Sequence, residues 1–233
     1  MNRARNYGFT LIELMLAMSF IGVLLVAIAM TTIQISRIYT KGLTLREVNQ
    51  AGRTVSEELQ RSIASSLPFE ADPSSPTTKY VVRPGGGRLC LGRYSYAWNY
   101  GSAIAGGSGA PSVFNRYVDG SAVRFAKVND ASASLCSNPT LKIVRADATE
   151  MLTSGDRDLV MHAFTVTRGA DDIKTGQALY AISMTIGTND QQQLTTNDAS
   201  CKPPAQGVGD EDYCSVNQFD IVARAGNKLE GEQ

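Results

Sequence analysis

The amino-terminal part of the chain contains a long stretch without charged side chains. From Leu14 to Ser36 there are 23 residues and not one Asp, Glu, Lys or Arg. As a helix rising about 1.5 Å per residue, this stretch would be about 34 Å long and would cross the roughly 30 Å hydrocarbon layer of a bilayer. No comparable run follows. The sequence therefore predicts one hydrophobic anchor, followed by a chain of ordinary polar and apolar mixture.

The bulk composition is that of a globular protein. The chain has 233 residues, 43% of them hydrophobic, with 22 Lys+Arg against 22 Asp+Glu. This length is sufficient for one sizeable soluble domain besides the anchor. Nucleic-acid-binding domains usually carry a basic excess, so the balanced charge argues against long-range attraction to DNA.

The flanking charges do not determine the orientation of the anchor, because Arg3 and Arg5 on one side face Arg37 and Lys41 on the other. The cysteines are more informative. Four cysteines lie beyond the anchor: Cys90, Cys136, Cys201 and Cys214. They are even in number and form no C-x-x-C pair of the kind that zinc and redox sites use. This favours disulfides and hence an exported carboxyl-terminal domain.

Two ordinary interpretations of the amino end are open from residue patterns. One is a secretory signal peptide cut after Ala29, and the other is an uncleaved anchor helix. Three features argue against both. Glu13 lies in the apolar segment, where a charge costs about 2.5 to 3.5 kcal/mol near a bilayer centre. The apolar run exceeds the roughly 7 to 15 residues of a signal-peptide core, and Gly8 separates it from a short basic segment.

The stretch GFTLIEL, residues 8–14, resembles the class III leader junction of type IV prepilins and type II secretion pseudopilins almost residue for residue. The resemblance implies that residues 1–8 are a leader, which the family's membrane peptidase removes by cutting between Gly8 and Phe9 on the cytoplasmic face. The same enzyme would then methylate the new amino group of Phe9. Glu13 would become the fifth residue of the mature chain and the family's assembly glutamate.

The resemblance gives Glu13 a physical role. After cleavage, the cationic amine of Phe9 lies four residues before Glu13, about 6 Å away along the helix axis. We expect a neighbouring subunit, displaced along a filament, to bring its amine to this carboxylate, so that two isolated charges become one pair. N-methylation preserves the positive charge. One departure from many family members is the missing proline late in the apolar segment, where Met30 and Thr31 stand.

The helix is expected to continue beyond the membrane. Apolar residues recur at three- and four-residue steps from Val48 to Ile63, with charged residues on the opposite side. Pro68 disfavours helical geometry at the residue before it, so the helix should run from Phe9 to about Ser66.

We divide this helix into a transmembrane and assembly half, residues 9–36, and an amphipathic half, residues 37–66, which packs on a head formed by residues 67–233. The segment NQAGRTVSEELQRSI also resembles the corresponding helix of J-type pseudopilins and PilW-like minor pilins. This second resemblance implies a minor subunit rather than a major one.

The remaining sequence predicts a β-rich head, so the fold class is α+β, with a long helix packed on antiparallel sheet. YSYAWNY, residues 94–100, places aromatic rings at every second position of a strand, where packing in the core is the expected role. Residues 101–112 are predicted to be a flexible loop. Further strands are predicted at Ala122–Lys127, Leu141–Arg145, Leu159–Arg168, Ala178–Thr188 and Gln218–Arg224. The third and fourth of these should form an antiparallel hairpin.

Four cysteines allow three pairings, and the sequence does not choose among them. The pairing that we prefer joins Cys201 to Cys214 and Cys90 to Cys136. The first would close a 14-residue loop, which the chain-entropy model values at about 3 kcal/mol. By resemblance to type IV pilins, the carboxyl-terminal disulfide loop at 201–214 is a candidate contact with neighbours or surfaces. A simple structural staple is the alternative.

No arrangement for catalysis, cofactor binding or metal binding emerges from the sequence. His162 is the only histidine and has no G-x-S-x-G elbow to accompany it, so we expect a structural role. GGGR, residues 85–88, lacks the Lys-Ser/Thr ending of a phosphate loop and is predicted to be a turn. None of the acidic clusters has the spacing of an EF-hand loop.

These patterns predict a single-pass prepilin of the inner membrane with an exported head. It would mature into a minor pilin or pseudopilin of an extracellular or periplasmic filament and would not be an enzyme. The expected partners are other subunits, through the amino-terminal helix, and the prepilin peptidase/methyltransferase. Two alternatives stay open: an exported binding protein or hydrolase with an ordinary signal peptide, and a pilin whose head binds DNA or a cell surface.

Overall fold

In a computed structural model, the chain forms one long helix and a head that contains two antiparallel sheets. The structure describes residues 10–74, 79–152, 158–172, 176–195, 200–203 and 213–226. The helices are α1 (Leu11–Ala64), α2 (Gly101–Ala105) and α3 (Ser134–Ser137), with a 3₁₀ turn at Arg145–Asp147. The strands are β1 (Tyr80–Arg83), β2 (Gly86–Cys90), β3 (Tyr94–Asn99), β4 (Phe125–Asn129), β5 (Ala148–Glu150), β6 (Leu159–Asp172), β7 (Gln177–Thr188) and β8 (Val216–Ala225). A long amino-terminal helix on antiparallel sheet is the α+β type IV pilin fold that the sequence predicts.

The helix α1 is continuous over 54 residues, and its burial changes part-way along its length. Among its described residues, those before Thr44 are not buried. From Thr44 onward one side packs against the head, and the buried residues are Thr44, Val48, Gly52, Val55, Ser56, Leu59, Ser62 and Ile63. Their spacing of three and four residues confirms the amphipathic pattern.

Strand β8 packs along α1 and runs in the same direction. Near its start, Asn217 Nδ2 donates a hydrogen bond to Asn49 Oδ1 at 2.7 Å. Just past its end, the backbone N–H of Gly226 donates to the carbonyl of Ser66 at 2.9 Å. Both β8 and α1 therefore point away from the anchor, and the residues that precede β8 lie at the anchor end of the head.

The three-stranded sheet, in the order β6-β7-β8, contains the predicted hairpin. Strands β6 and β7 pair antiparallel from Leu159 opposite Thr188 to Asp172 opposite Gln177. The hairpin prediction is confirmed. Strand β8 adds to the other side of β7, and its inward-facing residues meet the buried side of α1.

The five-stranded sheet, in the order β1-β2-β3-β4-β5, packs on the side of the core opposite the three-stranded sheet. Tyr96 and Trp98 on β3 are fully buried, and the Trp98 ring lies 4.4 Å from the ring of Phe164 on β6. This confirms the core role for these two aromatics. Tyr94 is only half-buried, with the Lys127 ammonium 3.8 Å from its ring centre. Tyr100 lies beyond the end of β3 and forms an isolated bridge with Met161.

Four local predictions in the five-stranded part are wrong or displaced. The start of the predicted loop at 101–112 is the helix α2, which packs closely on β6. Only Gly85 of GGGR lies in a turn, since Gly86–Arg88 belong to β2. The strand predicted at Ala122–Lys127 is β4 at Phe125–Asn129, and Leu141–Arg145 forms only one isolated bridge, between Ile143 and Tyr117.

The side chain of Arg88 binds backbone carbonyls up to Leu141, the first residue of the strand predicted at 141–145. Its guanidinium is buried and donates to the carbonyls of Leu135, Asn138, Pro139 and Leu141, and to Asn115 Oδ1 at 2.6 Å. Within the predicted strand, the carbonyl of Leu141 therefore accepts from a cation, and only Ile143 forms a bridge, through hydrogen bonds with Arg116 and Val118. Burial lowers the pKa of Arg88 to about 10, well above neutral pH, so the side chain keeps its charge.

Candidate functional site

The described chain enters α1 through a reciprocal capping box. The backbone of Thr10 is extended, and its hydroxyl oxygen accepts a hydrogen bond from the N–H of Glu13 at 3.2 Å. In return, Oε2 of Glu13 accepts from the backbone N–H of Thr10 at 3.0 Å and from its hydroxyl at 2.9 Å. This pattern satisfies backbone donors that the first turn of a helix otherwise leaves unpaired.

The capping box turns the Glu13 carboxylate back toward the amino end of the chain. A negative charge is favourable there, because the unpaired N–H groups of a helix start carry partial positive charge. Both hydrogen bonds from Thr10 use Oε2. A carboxylate has about four acceptor positions, so the capping box leaves room for an ammonium group from another chain.

Thr10 is a residue of the candidate site that the sequence reasoning missed. The order Thr-Leu-Ile-Glu at residues 10–13 is the T-x-x-E signature of a capping box directly before an apolar run. That signal was available in the sequence. Glu13 thus has a partner within its own chain, Thr10, in addition to the partner that is expected on a neighbouring subunit.

The predicted processing residues, Gly8 and Phe9, lie outside the described residues. The cysteines are described, and they form two disulfides, Cys90–Cys136 and Cys201–Cys214. These are the two pairs that we preferred from the sequence. The first joins the end of β2 to α3, and the second closes the chain immediately before β8.

The first half of α1 presents apolar side chains on all sides. Every large apolar side chain from Leu11 to Ile38 is at least 45% exposed. Mean hydropathy reaches 2.6 over 18 residues, and none of that window is buried. Such a surface is unstable in water, because burial of apolar area contributes roughly 25 cal/mol per Å². This half of the helix must be covered by lipid or by other protein chains.

A polar cluster attaches the second half of α1 to the five-stranded sheet. Glu58 Oε1 accepts from the Lys127 ammonium at 2.6 Å and from the Tyr96 hydroxyl at 3.1 Å. The Ser62 hydroxyl lies 2.5 Å from the Tyr96 hydroxyl. Although burial raises the pKa of Glu58, the hydrogen bonds from Lys127 and Tyr96 outweigh it and hold the pKa below its usual value. Glu58 therefore carries a negative charge at neutral pH and fixes the helix against the sheet.

In the described part of the chain, no group of three or more His, Cys, Asp and Glu side chains could hold a metal ion. His162 is half-buried on β6, and its Nε2 lies 3.1 Å from the carbonyl oxygen of Thr188 on β7. This contact joins two strands of one sheet.

A comparison with protein families places a known motif on the candidate site. The model of the prokaryotic N-terminal methylation motif matches residues 3–31. The chain is similar to type IV pilins and pseudopilins in this region. The match spans the leader junction, the capping box and most of the uncharged run, and it does not extend to the head. No curated protein and no solved structure matches the chain.

The motif, the apolar helix and the pilin fold support one coarse conclusion. The chain is pilin-like, its motif implies processing by a prepilin peptidase, and its apolar helix fits an anchor in the membrane. Because the match ends at residue 31, it says nothing of the type of filament or of the task of the head.

Proposed function

We propose that this protein is a minor pilin or pseudopilin, a subunit of a type IV pilus or of a filament like that of type II secretion. The observation that carries the proposal is the first half of α1. It begins with the methylation motif and projects from the head with its apolar side chains uncovered. In the membrane, lipid covers this half; in a filament, the helices of neighbouring subunits replace lipid.

Glu13 selects the docking position of a subunit in this proposal. A carboxylate surrounded by apolar helices is unfavourable unless a cation and hydrogen bonds satisfy it. The Thr10 capping box supplies part of this within the chain, and the methylated amine of Phe9 on a neighbouring subunit supplies the cation. A neighbour at the wrong axial displacement would leave both charges unpaired, which restricts assembly to one register.

A minor role is supported by the size of the head and by the resemblance of NQAGRTVSEELQRSI to J-type pseudopilins and PilW-like minor pilins. Such a subunit would initiate, cap or decorate the filament. The head would be exported, while the anchor spans the inner membrane once before assembly. We expect no enzymatic activity, because the predicted role needs only packing and ion pairing.

Processing is the first test. We expect mass spectrometry of the mature chain to find an amino terminus at N-methylated Phe9, and Gly8→Arg to retain the leader. A mature chain that begins at Met30 would instead support an exported protein with an ordinary signal peptide. An uncleaved chain would support the alternative of an ordinary, unprocessed anchor helix.

Assembly is the second test. Glu13→Ala should insert into the membrane normally but fail to enter sheared filaments, because the neighbour's amine loses its counter-ion. Glu57→Ala is the matched control, since Glu57 is an exposed carboxylate on the same helix beyond the membrane segment. Equal amounts of both variants in the filament fraction would contradict the pairing mechanism.

The head is the third test, because a DNA-binding pilin is the nearest alternative within the same fold. The balanced charge of the chain predicts no shift of duplex DNA by the head in a gel at moderate salt. A shift that weakens with increasing salt would instead support a head that binds DNA.

A further inference from the structure

The base of the head lies close to the end of the membrane segment. Seven helix residues, 37–43, separate the uncharged run from Thr44, the first buried residue of α1. They rise about 10 Å. The headgroup layer on each side of a bilayer is about 5 to 8 Å thick. When the uncharged run spans the hydrocarbon, residues 37–43 therefore cross the headgroup layer, and Thr44 lies a few ångströms outside it.

The disulfide Cys201–Cys214 lies at this base. Strand β8 begins beside the lower part of α1, where Asn217 contacts Asn49, and it runs away from the anchor. Cys214 comes two residues before β8, and the backbone N–H of Thr188, at the end of β7, donates to the carbonyl of Ser215 at 3.0 Å. The ends of the disulfide segment thus face the membrane rather than the far end of the head.

The side chains at the membrane-facing end of the head and on the helix below it are those that membrane interfaces favour. Tyr39 is 67% exposed on α1, between Arg37 and Lys41 in sequence, and Tyr213 is 44% exposed beside the disulfide. Lys202 is the described cation next to Cys201, and its ammonium donates to the carbonyl of Gln192 at 2.8 Å. The acidic side chain of Asp190 is exposed in the adjoining turn. Aromatic rings and basic groups concentrate at the boundary between lipid and water.

We propose that Arg37, Tyr39, Lys41, Lys202 and Tyr213 form a membrane-facing base that binds the anionic headgroups of phospholipids in the exported leaflet. The inference rests on the proposed insertion of α1 in the membrane. The two helix cations lie on one side of α1, because they are four residues apart, and Tyr39 lies on the other side. The base would hold the subunit at one depth and would exchange its lipid contacts for contacts with another subunit during assembly.

Lipid selectivity tests the helix part of the base. The full-length mature chain in liposomes of mixed phosphatidylglycerol and phosphatidylcholine should retain spin-labelled phosphatidylglycerol preferentially, as measured by electron spin resonance. Arg37→Gln with Lys41→Gln should reduce this preference markedly, because these are two of the three cations of the base and cations near an anionic surface attract its lipids. Arg46→Gln with Arg53→Gln removes the same charge from higher on α1 and should retain the preference.

Fluorescence quenching tests the disulfide part of the base. The native Trp98 is fully buried and serves as a constant background. A tryptophan introduced by Tyr213→Trp should be quenched by a lipid with a nitroxide on its headgroup. Val222→Trp is the matched control, since Val222 is 62% exposed and its carbonyl accepts from Gln60, about 35 Å further along α1 than Arg37. Its fluorescence should not change.

The outcomes separate this inference from the proposed function. A wild-type chain that alkaline carbonate extracts from the liposomes would overturn the anchor and the membrane-facing base together. A chain that stays inserted but shows equal retention of both lipids, or equal loss of preference in both pairs of variants, would overturn the base alone. The same holds if Tyr213→Trp is quenched no more than Val222→Trp.

Discussion

Gly52 lies where α1 packs closely on β8, and its replacement by alanine is the sharpest test of this packing. A Cβ at Gly52 would lie 2.1 Å from Cζ of Phe219 on β8. Carbon atoms in favourable contact are about 3.5 to 4.0 Å apart, so the ring would have to move by about 1.5 Å. Phe219 is partly buried and packs against the buried core, so moving its ring costs part of this packing.

The expected effect of Gly52→Ala is the difference of two opposing terms. Overpacking costs about 1 to 3 kcal/mol, while replacing a glycine inside a helix contributes about 1 kcal/mol. Gly42→Ala is the matched control, because nothing lies within 4 Å of its Cβ position and only the favourable term applies. The two variants should therefore differ by about 2 kcal/mol in unfolding free energy, or about 4 to 8 °C in Tm for a domain of this size.

The measurement is thermal unfolding of the full chain in detergent, followed by near-ultraviolet circular dichroism. Gly42→Ala should raise the Tm and Gly52→Ala should lower it relative to Gly42→Ala. Adding Phe219→Ala to Gly52→Ala should remove most of the interaction, as a double-mutant cycle would report. If both glycine variants stabilise the chain equally, the helix does not approach β8 as closely as described, and the reasoning fails.

Three further perturbations address the interior of the head. The pKa of Glu58 is lower in the folded state, so Glu58 should stabilise the head above its unfolded-state pKa of about 4.5. This stabilisation should be lost, and the Tm should fall, as the pH drops from 4.5 through the folded-state pKa. Lys127→Met should make this fall in Tm smaller. Arg88→Met should lower the unfolding free energy, measured by urea denaturation, by about 3 to 5 kcal/mol, because buried carbonyls lose their hydrogen-bond donor. Arg88→Lys should recover only part of this free energy, since an ammonium lacks the planar fork of a guanidinium. Loss of the Cys90–Cys136 disulfide, which spans 46 residues, should cost about 4 kcal/mol under non-reducing conditions, a value that an unchanged urea midpoint would refute.

Elements with a strong local period were predictable from the sequence. The three- and four-residue spacing from Val48 to Ile63 identified the buried side of α1, and alternation located the hairpin of β6 and β7. In both cases the pattern and the packing have the same cause, which is a single apolar face that meets one core.

Strand β2 was not predictable in this way. Gly86 and Gly87 indicate a turn by local chemistry, and Arg88 is a residue that is rarely buried. Arg88 can be buried in this strand because Asn115 and carbonyls near residues 135–141 satisfy its guanidinium, and these groups lie far away in sequence. No window of local sequence contains that information.

In the candidate site, too, the features encoded in a short stretch of sequence were predictable and the contacts with distant groups were not. The resemblance at residues 8–14 identified Glu13 directly, because the chemistry of leader removal and methylation is confined to a short contiguous motif. The capping role of Thr10 is also visible in a short contiguous motif, T-x-x-E at residues 10–13, although it was not predicted from the sequence. The partner that neutralises Glu13 belongs to another molecule, so this chain alone can predict the charge but not the contact.

The uninterrupted course of α1 also has a mechanical consequence. Over 54 residues it is a strut about 81 Å long, without the proline that would divide it. A tensile load between anchor and head would act on its backbone hydrogen bonds in series, so the turns with least lateral support would open first. Gly22 and Gly42 lie in the unsupported part of the helix, where the low helix propensity of glycine weakens the turn further. Each residue that passes from helix to extended chain would lengthen the strut by about 1.8 Å.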